Sequence, residues 1–131
     1  MGRIQSDYTG RPRLLLAYAD AAYASECGRY FRRLGWEVQM VAGGAEARIL
    51  AAEYHPDVVV LDAELLDQSG WLTSAKISTD NPELRIFLVT SESAPSDRLT
   101  MVGAEHAISR AAGAEGLAHA IFGSPTLSQA V

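Results

Sequence analysis

This sequence is poor in the features that mark several large classes of protein. It has one cysteine, Cys27, which excludes an internal disulfide and fits a reducing compartment. No apolar run approaches the ~20 residues that cross a bilayer, and the N-terminus has no apolar signal core. Lysine and arginine number 11 against 16 acidic residues, so the net charge of -5 leaves no basic footprint for nucleic acid. These absences predict a cytoplasmic protein that contacts neither membrane nor nucleic acid.

What the sequence does contain is ordinary for one globular domain. The 131 residues are 48% hydrophobic and 21% charged, which suffices to bury a core without metal or disulfides. Residues 1–12 are polar and carry two glycines and a proline, so we expect a flexible lead-in there. Residues 123–131 are expected to form a tail or linker. The predicted domain therefore spans residues 13–122.

Short apolar runs alternate along the chain with segments of helical periodicity. The apolar runs predict strands at residues 13–19, 57–62, 85–90 and 106–109, and the alternating residues 37–41 predict another. The periodic segments predict helices at residues 21–34, 45–52, 71–78, 96–103 and 114–122. This alternation predicts an α/β domain with a five-stranded parallel sheet and helices on both faces.

Polar side chains stand where four of the predicted strands end. Asp20 follows the first strand, Asp62 ends the third, Thr90 ends the fourth and Arg110 follows the fifth. The carboxyl ends of parallel strands line the crevice in which such folds do their chemistry. An acid, a hydroxyl and a cation that converge there predict a phosphoryl site.

Several stretches, in their order and spacing, resemble a known family. They are "PDVVVLD" ending on Asp62, Gly70 eight residues later, "FLVTS" with Thr90, and "GAEHAISR" ending on Arg110. Over residues 13–122 the chain resembles the receiver domain of bacterial two-component response regulators. The resemblance implies a flavodoxin-like, doubly wound fold and a phosphorelay signalling role. It implies a histidine kinase or other signalling protein as partner, and a homodimer through the fourth and fifth helices.

The resemblance also implies roles for individual residues. Asp62 falls on the phospho-acceptor and Thr90 on the hydroxyl that binds a phosphoryl oxygen. Arg110 falls on a lysine that pairs with the phosphoryl group; its planar guanidinium differs in shape and reach from an ammonium. The family's pair of acidic residues, which holds Mg²⁺ after the first strand, falls on Tyr18 and Ala19.

These departures weaken the standard chemistry that the family implies. The candidate magnesium ligands that remain are Asp20, Asp62 and Glu64, too few carboxylates to hold the ion well. The aromatic switch residue of the fifth strand falls on Ala107. We therefore expect an atypical receiver, or pseudo-receiver, that is not an enzyme and acts by protein interaction. Its phosphorylation at Asp62 is expected to be weak or absent.

Other interpretations stay open from the sequence alone. The chain can be a working receiver in which Asp20 and Glu64 partly replace the acid pair. The "LDAEL" stretch faintly resembles small haloacid-dehalogenase-type phosphatases, which would make Asp62 an enzymatic nucleophile. Asp62 can instead stabilise a turn, Asp20 can cap a helix, and Arg110 can either lie in solvent or pair permanently with an acid in the site.

Overall fold

The structure is a computed structural model that describes residues 10–123. The strands are β1 (Arg13–Ala17), β2 (Glu37–Val41), β3 (Val58–Asp62), β4 (Arg85–Thr90) and β5 (His106–Ser109). The helices are α1 (Ala21–Arg33), α2 (Gly44–Glu53), α3 (Gly70–Asp80), α4 (Ser96–Met101) and α5 (Gly113–Phe122), and a 3-10 turn at Arg110–Ala112 precedes α5. The predicted lead-in and tail lie largely outside the described residues.

All neighbouring strands pair in parallel, in the order β2-β1-β3-β4-β5. This is the flavodoxin-like order of doubly wound folds, and the predicted fold class is confirmed. The switch point lies between β1 and β3, since the chain leaves β1 toward one edge and β3 toward the other. The crevice at this point is where Asp62 ends β3.

The central strands are apolar along their whole length because both faces of the sheet are covered. Every residue of β1 and of β3 is buried, whereas the edge strands β2 and β5 are partly exposed. Alternate side chains of β3 enter two separate cores. Val58 and Val60 pack in the core beneath α1 and α5, and Val59 and Leu61 pack in the core on the opposite face, with residues of α2 and α3.

Two predicted strand ends needed correction. β1 ends at Ala17, not at residue 19, because the chain turns there toward Asp20, although the Tyr18 N–H still bonds Val41 O at 3.0 Å. β3 begins at Val58, because the Arg13 N–H of β1 donates to the Asp57 carboxylate at 2.8 Å and not to a backbone carbonyl. Neither change moves Asp62 from the end of its strand.

Two helices differ from the prediction by two residues at one end. The third runs over Gly70–Asp80 and so is longer than predicted: Ser69 caps its start by accepting the Leu72 N–H at 3.0 Å, and at its end the Asn81 N–H still bonds Ile77 O at 2.9 Å. The fourth is shorter and covers Ser96–Met101, with Pro95 at the N-cap position that Ser96 was predicted to hold. It ends early because Gly103, at φ +75, turns the chain. Among residues 10–123, no helix is both long and apolar enough to cross a membrane.

Candidate functional site at the end of the third strand

The loop between β3 and α3 presents Asp62 in one fixed geometry. The residue is 3% exposed, and its Oδ1 accepts the Glu64 N–H at 2.9 Å, which is the turn-stabilising role that the sequence left open. Gly70 lies against the same backbone. A Cβ there would stand 2.1 Å from the Asp62 carbonyl oxygen, so no larger residue fits without moving the loop. The sequence therefore builds a carboxylate held by its own backbone.

Arg110 contacts that carboxylate directly. Its Nη2 donates to Asp62 Oδ1 at 3.1 Å and to Oδ2 at 2.9 Å. The Asp62 side chain is 4% exposed and the Arg110 side chain 29%, so the pair is largely shielded from water. Of the two positions that the sequence left open for Arg110, solvent or an ion pair in the site, the structure has the ion pair. Such a pair resists disruption because the loss of one partner strands the other charge.

Thr90 lies at the end of β4, on the strand beside β3. Asp62 is in register with Val89, so Thr90 stands one residue further toward the crevice. Its side chain is largely buried, and its Oγ1 accepts the Glu92 N–H at 3.1 Å. The hydroxyl proton stays available to an acceptor in the crevice.

The β1–α1 loop supplies little to a metal ion. Asp20 Oδ1 accepts the N–H groups of Ala22 and Tyr23 at 2.9 and 3.3 Å, so this carboxylate caps α1. Within residues 10–123, no three His, Cys, Asp or Glu side chains are placed to hold a metal. Both Asp62 oxygens already accept from Arg110. Asp20, Asp62 and Glu64 thus do not form a three-carboxylate set, and this arrangement does not fit Mg²⁺.

A second aspartate in the β3–α3 loop was missed from the sequence. Asp67 accepts the Gly44 N–H at 2.8 Å and the Ala45 N–H at 3.0 Å, which hold the pKa of this carboxyl below its ordinary value. The helix α2 has Gly43 as its N-cap and so no capping side chain of its own. Gly43 is the sequence signal for this contact. A glycine N-cap has no side chain to accept from the first N–H groups of α2, so these donors need an acceptor from another part of the chain.

On the other side of the site, side chains of α3 contact α4 and the residue that follows it. The Arg98 guanidinium lies 4.0 Å from the centre of the Trp71 ring, and the Ser74 hydroxyl donates to Val102 O at 2.7 Å. Ala107, at the position where the resembling family has an aromatic residue, is partly buried against the core on this face. These two side-chain contacts join α4 and its C-cap to α3, and the buried Leu99 of α4 packs in the same core.

Beneath Arg110 lies a buried patch of α1. Cys27 is a free thiol with no exposed surface, and burial raises its pKa from 9.0 to about 11. Tyr23 is 6% exposed, and burial raises its pKa far above the ordinary value, with the nearby Arg110 charge opposing. Glu26 Oε2 accepts the Ala114 N–H at 3.1 Å and so fastens α1 to the start of α5.

A five-stranded parallel sheet of this order, with a buried aspartate at its switch point, is the arrangement that receiver-type domains have within the flavodoxin-like fold class. The family model described as "Response regulator receiver domain" matches residues 15–122. The chain therefore belongs to the response regulator receiver domain family of two-component signalling, as its sequence motifs predicted.

Known proteins with related sequence or structure agree. The chain is 34% identical to the "Probable transcriptional regulatory protein TcrX" of Mycobacterium tuberculosis over 91 residues. The match covers 69% of this chain and 39% of that protein. A CheY-like receiver domain protein from Methanospirillum hungatei superposes with a TM-score of 0.79 at 20% identity, over 86% of this chain and 91% of that one. A response regulator from Burkholderia pseudomallei, whose structure carries a phosphorylated aspartic acid, calcium and citrate, gives 0.77 at 21% identity, over 91% and 71%. At these identities the structural likeness establishes the fold alone.

Proposed function

We propose that this chain is a degenerate receiver, which signals by binding a protein partner and not by accepting a phosphoryl group. The observation that carries the proposal is the Arg110 guanidinium on both oxygens of Asp62 at 3.1 and 2.9 Å. The ion pair stabilises the negative charge of the carboxylate and so makes Asp62 a poorer nucleophile toward phosphorus, and the ion that would offset phosphoryl charge lacks its carboxylate ligands. The domain is then fixed in one state that a partner reads.

The proposed partner is a histidine kinase or another signalling protein, in the cytoplasm, and we propose no enzymatic activity.

As a further proposal, two copies associate through the face built by α4 and α5. Met101 on α4 is 81% exposed, and a groove beside α5 is lined by Ala107, Gly116 and Ala120. Sedimentation velocity tests this association. A dimer that dissociates in Met101→Glu supports it, and a monomer at every concentration overturns it.

The proposed function is tested by incubation with Mg²⁺ and acetyl phosphate, followed by intact mass spectrometry. Wild type is expected to gain no phosphoryl group. A phosphoryl adduct that Asp62→Asn abolishes would overturn the proposal in favour of the working receiver that uses Asp20 and Glu64.

A gain-of-function variant sharpens the test. Tyr18→Asp, Ala19→Asp and Arg110→Lys together restore the residue types that the family places at these positions. This triple variant is expected to accept a phosphoryl group on Asp62 when Mg²⁺ is present. If it folds and stays unmodified, the departures at these positions do not account for the lost chemistry.

A further inference from the structure

Helix α5 begins without a capping side chain of its own, because its N-cap is Ala112. Glu26 of α1 supplies the missing acceptor from a distant part of the chain, since its Oε2 accepts the Ala114 N–H at 3.1 Å. A Cβ on Gly113 would stand 3.0 Å from the same oxygen, so the carboxylate lies close against the backbone there. Its negative charge is also favourable at the start of a helix. The contact therefore holds the beginning of α5 against α1.

The 3-10 turn just before α5 carries Arg110, and hydrogen bonds fix both ends of this turn. At its start, Oγ of Ser109, the last residue of β5, accepts the Ala111 N–H at 3.1 Å. At its end, the Gly113 N–H donates to the Arg110 carbonyl. The next N–H group along the chain is the one that Glu26 accepts. The turn is thus held by the sheet on one side and by α1 on the other.

The ion pair of the site depends on where this turn lies. Arg110 Nη2 reaches the two Asp62 oxygens at 3.1 and 2.9 Å, and Arg110 Nε is buried. The Arg110 side chain as a whole is 29% exposed, so a shift of its backbone would let the guanidinium turn toward solvent. A side chain that makes hydrogen bonds in a site keeps its geometry when a second layer of contacts fixes its backbone and rotamer.

We propose that Glu26 is a positioning residue for the Asp62–Arg110 ion pair: by accepting the Ala114 N–H, it fixes the turn from which Arg110 reaches Asp62. Each link is a hydrogen bond or the chain itself, from Glu26 to the start of α5, from the Gly113 N–H to the Arg110 carbonyl, and from the guanidinium to the carboxylate. This inference rests on the proposed function, because it states what keeps the carboxylate paired.

The test is the rate at which the Arg110 Nε–H exchanges with solvent, followed by ¹⁵N NMR. We expect this exchange to be about tenfold faster in Glu26→Ala, because the turn loses its contact with α1. Glu26→Gln should stay at the wild-type rate, since the amide oxygen can still accept the Ala114 N–H. Glu26→Asp keeps the charge but is one methylene shorter, so it should behave like Glu26→Ala, and it serves in its place if Glu26→Ala does not fold.

Asp67→Ala is the matched control. Asp67 caps α2 in the same way, by accepting the Gly44 N–H at 2.8 Å, but α2 does not adjoin the Arg110 turn in the chain. This variant is expected to lower the Tm and to leave the Arg110 Nε–H exchange unchanged. If the shortened Glu26 variants lower the Tm without changing that exchange, Glu26 only caps α5 and the inference is overturned. Equal acceleration in Glu26→Gln or in Asp67→Ala would overturn it as well.

Failure of this inference is distinct from failure of the proposed function. A phosphoryl adduct on wild-type Asp62 overturns the proposed function, whatever the exchange rates are. Unchanged Arg110 exchange in the shortened Glu26 variants, with no adduct on wild type, overturns the positioning role alone.

Discussion

The loops that follow β1 and β3 lie side by side at the switch point of the sheet, yet only the β3–α3 loop retains the site residues of the family. The β3–α3 loop keeps a buried Asp62, a Gly70 that nothing larger can replace, and an Asp67 bonded to two N–H groups of α2. The β1–α1 loop has Tyr18 and Ala19 where a metal site needs acids, and its one carboxylate, Asp20, caps a helix.

The difference separates two requirements that a working receiver must meet together. One is the backbone geometry that presents a carboxylate, and the other is the set of charges that makes it react. In this chain the geometry is retained because it is also the packing of β3 against α3. The acid pair that the family has after β1 is not retained, and the cation that contacts Asp62 in the structure is the Arg110 guanidinium.

The retained geometry is most directly broken at Gly70. In Gly70→Ala the new Cβ would lie 2.1 Å from the Asp62 carbonyl oxygen, a backbone atom that cannot move alone. We expect a loss of about 3 kcal/mol or more in the free energy of unfolding, measured in urea. Gly43→Ala is the matched control, because its Cβ would meet only the Asp67 carboxylate at 3.2 Å. Equal effects of the two changes would contradict the account.

The occupied carboxylate is tested by Arg110→Ala. This variant leaves the Asp62 charge buried with only the Glu64 N–H as partner, so we expect a loss of about 2 to 3 kcal/mol, less than for a fully buried pair since Arg110 is 29% exposed. Arg48→Ala breaks the exposed pair with Asp80 and should cost less. Urea unfolding of both variants checks the order, and a larger loss in Arg48→Ala would refute it.

The buried patch under the site predicts a loss of stability in alkali. The pKa of Cys27 is raised from 9.0 to about 11 in the folded protein, so its contribution is complete below pH 9 and disappears as the pH rises to 11. The expected loss is on the order of 2 kcal/mol. Tyr23 adds to it, since its pKa is raised as well. Thermal melts of wild type and Cys27→Ala from pH 8 to 11 should converge; parallel curves would be inconsistent with this reading.

A smaller effect is expected in acid from the loop itself. The pKa of Asp67 is lowered by the N–H groups of Ala45 and Gly44, so its contribution is present above the ordinary value of 3.8 and is lost as the pH falls below that value. Asp67→Asn should therefore reduce stability at pH 6 and flatten the decline between pH 5 and pH 3. Thermal melts across this range check it, and an unchanged slope would count against the contact.

The sequence predicted what depends on local pattern and missed what depends on distant contact. The segments 37–41, 85–90 and 106–109 gave strands with their observed ends. In β4 burial on both faces demands continuous apolar residues, and in the partly exposed edge strand β2 apolar and polar residues alternate. Asp62 was placed correctly because β3, like β4, is buried on both faces. The contacts of Asp67 with α2 span 22 to 23 residues, and the contact of Glu26 with the first turn of α5 spans 88, so no local spacing in the sequence predicts them.

The central claim is that Arg110, and not a metal ion, occupies the Asp62 carboxylate. A crystal structure grown with Mg²⁺ and beryllofluoride tests it most directly. The account predicts the guanidinium of Arg110 within hydrogen-bond distance of both Asp62 oxygens, as at the present 3.1 and 2.9 Å. An ion coordinated by Asp62, with beryllofluoride bound to its carboxylate and Arg110 displaced, would contradict it.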